Sequence, residues 1–144
     1  MTPVVIDASV AVSWCFEDEA NDKSRMLLEA AREVLLLVPT VWPLEVVNVV
    51  LMAERKGRIH PADSARFFQL LSDLPIRLIS EAMGGLAIEE SMVSLARRRM
   101  LTAYDAQYLQ LAIGREASLA TLDVQLAEVA RAEGVRLWEP PGAQ

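Results

Sequence analysis

Pro3-Val4-Val5-Ile6-Asp7-Ala8-Ser9 is the stretch whose reading decides the fold. Val4, Val5 and Ile6 are β-branched and uninterrupted, the pattern of a strand buried on both faces. Asp7 stops the run, and a helix is expected from 9 to about 15. The same alternation continues down the chain. Short aliphatic runs at 35–38, 76–79, 119–120 and 135–137 predict four further strands. Helical periodicity predicts helices over 21–33, 43–56, 61–71, 86–100, 103–115 and 124–133. Pro43 and Pro61 fall in first helical turns, where a missing N–H costs little, and Gly57 and Gly134 fall where helices end. Strands alternating with helices predict an α/β fold. The expected form is a three-layer α/β/α sandwich around a mainly parallel five-stranded sheet.

The 144 residues suffice for one domain, expected over 1–138 with a C-terminal tail over 139–144. The chain is 53% hydrophobic with no low-complexity stretch, which excludes a disordered or fibrous protein. No apolar run approaches the roughly 18 residues that span a bilayer, so no membrane partner is expected. The N-terminus lacks the basic flank and cleavage site of a signal peptide. Cys15 is the single cysteine, so neither an internal disulfide nor a thiolate zinc site is available, and a cytoplasmic location is expected.

A net charge of −6 argues at first against nucleic acid. That argument weakens if some of the 20 acids are gathered into one cation-binding pocket. In an open parallel sheet, ligands collect beyond the carboxyl ends of the strands. Asp7 ends the first expected strand and Asp123 follows the one at 119–120. Glu45 and Asp105 stand in the first turns of helices, and all four could meet on one rim. Each acid alone is explained by helix capping, and Thr102-Ala103-Tyr104-Asp105 reads as a capping box. Together they raise a different problem. Two carboxylates about 4 Å apart repel by about 4 kcal/mol at an effective dielectric near 20, so a cluster must protonate, spread or hold a cation. Oxygen donors without histidine or thiolate select Mg²⁺ or Mn²⁺. Such a site can activate water and stabilise charge on a phosphoryl group without a histidine base. The single histidine, His60, is expected as a solvated turn residue at a helix start, which leaves Ser-His-Asp and Cys-His schemes unsupported.

Four segments carry a resemblance to a known family. They are Val5-Ile6-Asp7-Ala8-Ser9, Pro43-Leu44-Glu45-Val46-Val47-Asn48, Leu101-Thr102-Ala103-Tyr104-Asp105-Ala106-Gln107-Tyr108-Leu109 and Leu119-Ala120-Thr121-Leu122-Asp123. In this order they resemble the successive motifs of PIN-domain nucleases, and more narrowly of the VapC-type toxins of toxin–antitoxin pairs. The resemblance runs from Val4 to Leu137. It implies a PIN fold in which Asp7, Glu45, Asp105 and Asp123 ligate Mg²⁺ or Mn²⁺ for hydrolysis of an RNA phosphodiester. Ser9 and Thr121 match hydroxyl positions that bond the carboxylates or substrate, and Asn48 lies one helical turn from Glu45. The resemblance also implies a VapB-type antitoxin whose tail presents a basic side chain to the acids. Two departures stand out. Arg99 and Met100 precede Leu101 where relatives often carry glycine, and Val124, Gln125 and Leu126 follow Asp123 where some carry a further acid.

Arg97-Arg98-Arg99 and Arg55-Lys56-Arg58 are expected to be solvated helix ends, although either could grip RNA phosphates. Trp14, Phe16, Trp42, Phe67 and Phe68 are expected in the core or at contacts, Glu17-Asp18-Glu19 in an acidic loop, and Cys15 as a small buried residue. The apolar helices around 46–52 and 67–71 offer a homodimer seam. The leading expectation is a metal-dependent endoribonuclease toxin. The alternative is a catalytically silent PIN-like module that binds RNA or protein. A phosphatase would want Asp rather than Ser9 after the first strand, and a receiver domain would want a lysine after a late one.

Overall fold

The structure is a computed structural model and describes residues 1–80 and 88–142. Residues 86–87 of the helix expected over 86–100, and the last two residues of the expected tail, lie outside that range.

The opening apolar run forms β1 (Pro3–Ile6), and Val4, Val5 and Ile6 are fully buried. The next runs form β2 (Leu35–Pro39), β3 (Ile76–Ile79) and β4 (Ser118–Ala120). The order is β3-β2-β1-β4 and every pairing is parallel, with Val5 opposite Leu37 on one side and Leu119 on the other. A strand flanked on both sides and covered above and below has no room for a polar side chain, which explains the unbroken aliphatic sequence. β3 lies at the sheet edge and exposes Arg77 and Leu78.

The sheet among the described residues has four strands, not the five expected. Residues 135–137 contribute only an isolated bridge, Leu137 to Leu119. Leu119 donates to the Arg136 carbonyl and Trp138 donates to the Leu119 carbonyl, both at 2.9 Å. Both bonds meet at Leu119, so the segment gains one bridge and no continuing ladder.

Seven helices connect and follow the strands among the described residues: α1 (Ala8–Ser13), α2 (Asp22–Glu29), α3 (Trp42–Arg55), α4 (Pro61–Asp73), α5 (Glu90–Arg99), α6 (Ala103–Gly114) and α7 (Val124–Ala132). A 3-10 turn at Glu17–Glu19 carries the acidic loop. Asn21 caps α2 by accepting from Lys23 and Ser24, and the helix stops at Glu29, four residues short of expectation. His60 caps α4, its Nδ1 accepting from Ala62. Gly57 and Gly134 adopt positive φ just past α3 and α7, the geometry glycine permits at little cost. Met100 takes the same left-handed conformation after α5, with φ 56°, where a Cβ makes it unfavourable.

α6 packs across β1, β2 and β4, and α1 packs against α3. Trp42 and Phe67 join the main core, while Phe16 forms a smaller cluster with Val12 and Ala53 under the Arg58 guanidinium, 4.6 Å above its ring. The sheet extends from β1 through β2 to β3 on one side and to β4 on the other. The carboxyl ends of β1 and β4 therefore part at a switch in strand order, which is where open α/β sheets form their crevice.

Candidate active site

Asp7 is the residue that follows β1, and it is 6% exposed. Its backbone N–H continues the ladder to the Ala120 carbonyl at 3.2 Å, which fixes its Cα at the β1–β4 crevice. Both carboxylate oxygens are held. Oδ1 accepts from the Ser9 hydroxyl at 2.6 Å and from the Val10 N–H at 3.3 Å, and Oδ2 accepts from the Thr121 hydroxyl. Those hydroxyls are themselves anchored: Ser9 Oγ accepts from Leu122 N at 2.9 Å and Thr121 Oγ1 accepts from Asp123 N at 3.0 Å. Two hydroxyl relays thus stitch the β4–α7 loop to the β1–α1 junction, with Asp7 between them. Burial pushes the Asp7 carboxyl above its ordinary value, the hydroxyl and N–H donors pull it back, and the Asp123 charge pushes it up further.

Asp123 is exposed at the start of α7 and caps it, with Oδ1 accepting from Gln125 at 2.9 Å and Leu126 at 3.2 Å. Asp105 is half-buried in the first turn of α6. Thr102 caps that helix by accepting from the Asp105 N–H at 3.1 Å. Burial raises the Asp105 carboxyl, and the charge of Asp123 raises it again. Glu45 stands half-buried in the first turn of α3 and is raised by burial and by Asp105. The acids therefore interact in sequence, Asp7 with Asp123, Asp123 with Asp105, and Asp105 with Glu45. Among the described residues, no three His, Cys, Asp or Glu side chains close into a ready-made metal cage. The donors are nevertheless all oxygens, and their mutual repulsion is the kind a hard divalent cation relieves.

Asn48 lies one turn beyond Glu45 and is exposed, with Nδ2 3.8 Å from Met52 Sδ. A residue without an expected role enters the pocket instead. Tyr108, 1% exposed on α6, donates its phenolic hydroxyl to Glu45 Oε1 at 2.9 Å. Burial and the charges of Glu45, Asp7 and Asp105 push its ionisation far upward, so it remains a protonated donor. Its spacing of three residues from Asp105 on a helix was the signal that both face the same way.

The basic residues stand in two settings. Arg98 and Arg99 close on Glu133 at 3.0 and 2.7 Å and pull its carboxyl below the ordinary range, so this part of the arginine run is paired rather than simply solvated. Arg58 pairs with Asp18 at 3.1 Å. Beyond the expected domain boundary, Glu139 pairs with Lys23 at 2.6 Å and Pro140 is buried. Among the described residues no helix is long and apolar enough to cross a membrane.

The comparisons with known proteins bear on the fold and the family. The chain is similar to PAE2754 from Pyrobaculum aerophilum, known from a crystal structure, with a TM-score of 0.67 and 19% identity over 89% of this chain and 84% of that one. It is also similar to a domain of a functionally unknown protein from Methanocaldococcus jannaschii, with a TM-score of 0.53 and 17% identity over 100% of this chain and 94% of that one. Identities this low bear on the fold alone. No curated protein sequence matches significantly. A family model described as the PIN domain matches residues 4–132. A match running from the first strand to the end of the last helix leaves one assignment, and the chain belongs to the PIN-domain family.

Proposed function

We propose that this PIN domain is a metal-dependent endoribonuclease acting as a VapC-type toxin. PIN domains are commonly nucleases. The observation that supports the reading for this chain is the buried Asp7 carboxylate, held by Ser9, Val10 and Thr121 and followed by a line of three further acids. A fold does not bury a carboxylate beside other carboxylates for stability, since desolvation and repulsion both oppose it. Asp7, Glu45, Asp105 and Asp123 would hold Mg²⁺ or Mn²⁺. The ion would supply a lowered pKa for water and positive charge opposite the phosphoryl oxygens. Asp7 gives the site a fixed point, Ser9 and Thr121 prevent its rotation, and Asp123 moves with the same loop because Thr121 bonds its N–H.

The test is RNA cleavage by the whole chain with Mg²⁺ or Mn²⁺, with chelator, and with Asp7→Asn or Asp105→Asn. The reading requires cleavage that chelator stops and that either variant abolishes while remaining folded. The lack of a closed cage among the described residues favours the alternative, a silent module that binds RNA or protein. Metal binding without turnover on any RNA would establish it.

The partners in this proposal are RNA, a VapB-type antitoxin and a second copy of the chain. An antitoxin guanidinium laid over the acids would replace the charge of the ion. For the homodimer the support is on α3, where Leu44, Val47 and Leu51 form an exposed stripe at helical spacing while Val46 and Val50 point into the core. Val47→Glu should convert a dimer measured by light scattering into a monomer. An unchanged mass would remove the seam.

A further inference from the structure

The acids just described differ in how they are held, and Glu45 depends on one partner. Asp7 receives two hydroxyls and an N–H, and Asp123 receives two N–H groups. Among the described residues, the Glu45 carboxylate accepts only the Tyr108 phenol. We infer that Tyr108 is a positioning residue, whose hydroxyl fixes the Glu45 carboxylate in the pocket and thereby sets its readiness to take a cation. The inference rests on the reading of the four acids as a metal site.

Three observations carry it. The bond crosses 63 residues and joins two helices, α6 and α3, so it depends on the tertiary fold rather than on local sequence. Tyr108 is buried to its tip, so the direction of its hydroxyl is set by packing, whereas Glu45 has three side-chain torsions on a half-exposed helical turn. The phenol also has a single proton, and it goes to Glu45 rather than to Asp7, whose oxygens take Ser9, Val10 and Thr121 instead. A carboxylate has about four acceptor sites, so one bond on Oε1 leaves Oε2 open to a cation. Partners of this kind, one bond removed from a metal, typically change affinity by about 10- to 100-fold when lost.

A neutral alternative exists for any buried tyrosine, because its hydroxyl needs some acceptor. The experiment therefore asks whether Tyr108 acts through Glu45. Mn²⁺ binding is measured by calorimetry on the whole chain as wild type, Tyr108→Phe, Glu45→Gln and the double variant. No RNA is present. Tyr108→Phe keeps the ring and should weaken Mn²⁺ about 10-fold. In the Glu45→Gln background it should add nothing, because the phenol no longer has the ligand to hold. A crystal structure of metal-free Tyr108→Phe should show Glu45 displaced by more than about 0.5 Å or without one position. Unchanged affinity, additive losses in the double variant, or an unmoved Glu45 would each overturn the inference.

The outcomes separate from those of the ribonuclease proposal. Coupling with no cleavage of RNA rejects the ribonuclease and leaves Tyr108 in place. Cleavage with no coupling does the reverse. A wild type that binds no Mn²⁺ rejects the metal reading, and the metal-free structure then decides whether Tyr108 holds Glu45. If Tyr108→Phe does not fold, Tyr104→Phe leaves Tyr108 as the one tyrosine of the two in the chain. With 3-fluorotyrosine in place of tyrosine, its ¹⁹F resonance, which the three tryptophans do not overlap, should shift on adding Mg²⁺, and an unmoved resonance overturns the inference.

Discussion

The two halves of the acidic pocket are built on different principles. Asp7 and Asp123 sit at the carboxyl ends of neighbouring strands and are tied by backbone and hydroxyl bonds within one stitched loop. Glu45 and Asp105 sit on first turns of two helices, half-buried, with fewer constraints on their carboxylates. The strand half has its geometry fixed before anything binds. In the helix half the Glu45 carboxylate is held by Tyr108, and Asp105 can adapt its reach to what arrives, at the cost of ordering its side chain at that moment.

Lengthening the acids breaks this comparison most sharply. In the proposed ribonuclease, Asp7→Glu should lose more than about 100-fold in RNA cleavage, beyond the loss expected for an outer partner, because no slack remains in its clamp. Asp105→Glu should stay within about 10-fold, since a half-exposed chain can bend to suit. Equal losses would erase the distinction. Thr121→Val removes the hydroxyl that holds Asp7 and accepts from Asp123. It should cost about 10- to 100-fold in activity and about 1–3 kcal/mol in urea unfolding, the penalty of a buried polar group left unpaired. For the metal itself, Mn²⁺ at about 100 times its dissociation constant should stabilise the wild type by about 2.7 kcal/mol in thermal melts, and Asp7→Asn should cancel that gain.

Smaller effects sharpen the comparison from outside the pocket. Glu133 is paired to Arg98 and Arg99 near the surface, so Glu133→Gln should cost only about 0.5–1 kcal/mol. Its carboxyl is lowered in the folded state. The stabilisation is therefore present above the unfolded carboxylate value of about 4.3 and lost as pH falls through the lowered folded value. Melting curves of wild type and variant should differ at neutral pH and converge in acid. Met100→Gly should add about 0.5–1 kcal/mol by relieving the left-handed backbone that precedes the Thr102 cap. Activity should be unaffected if α6 is fixed by packing rather than by that turn.

Much of the architecture was legible because the relevant signals are local. Val4-Val5-Ile6 and Leu36-Leu37-Val38 read as buried strands because they are, and Pro61, Gly57 and Gly134 mark helix ends with the geometry their backbones permit. Residues 135–137 have the composition of a strand, but how many of them pair is set by how they meet Leu119 of β4, which their own sequence does not encode. Within the site, the Ser9 bond to Asp7 is local, but the bonds of Thr121 to Asp7 and of Leu122 to Ser9 depend on parallel pairing between segments over 110 residues apart. Tyr108 was hidden for a different reason. Among the buried positions of α6, which include Ala106, Leu109, Leu111 and Ala112, an aromatic residue looks like core, and Tyr108 is core except for its last atom. The arginine run shows the converse. Its composition indicates solvated charge, and only the approach of Glu133 from α7 reveals a clasp.

The strand order carries a consequence for synthesis. β1 is made first yet lies inside the sheet, and one of its flanks stays bare until β4 has been translated, with Ile6 waiting for Ala120. Pairings of such sequence separation close late and slowly. A nascent chain therefore carries Asp7 on the ribosome long before the crevice around it exists, and any activity of the pocket must wait until β4 and the start of α7 have been made.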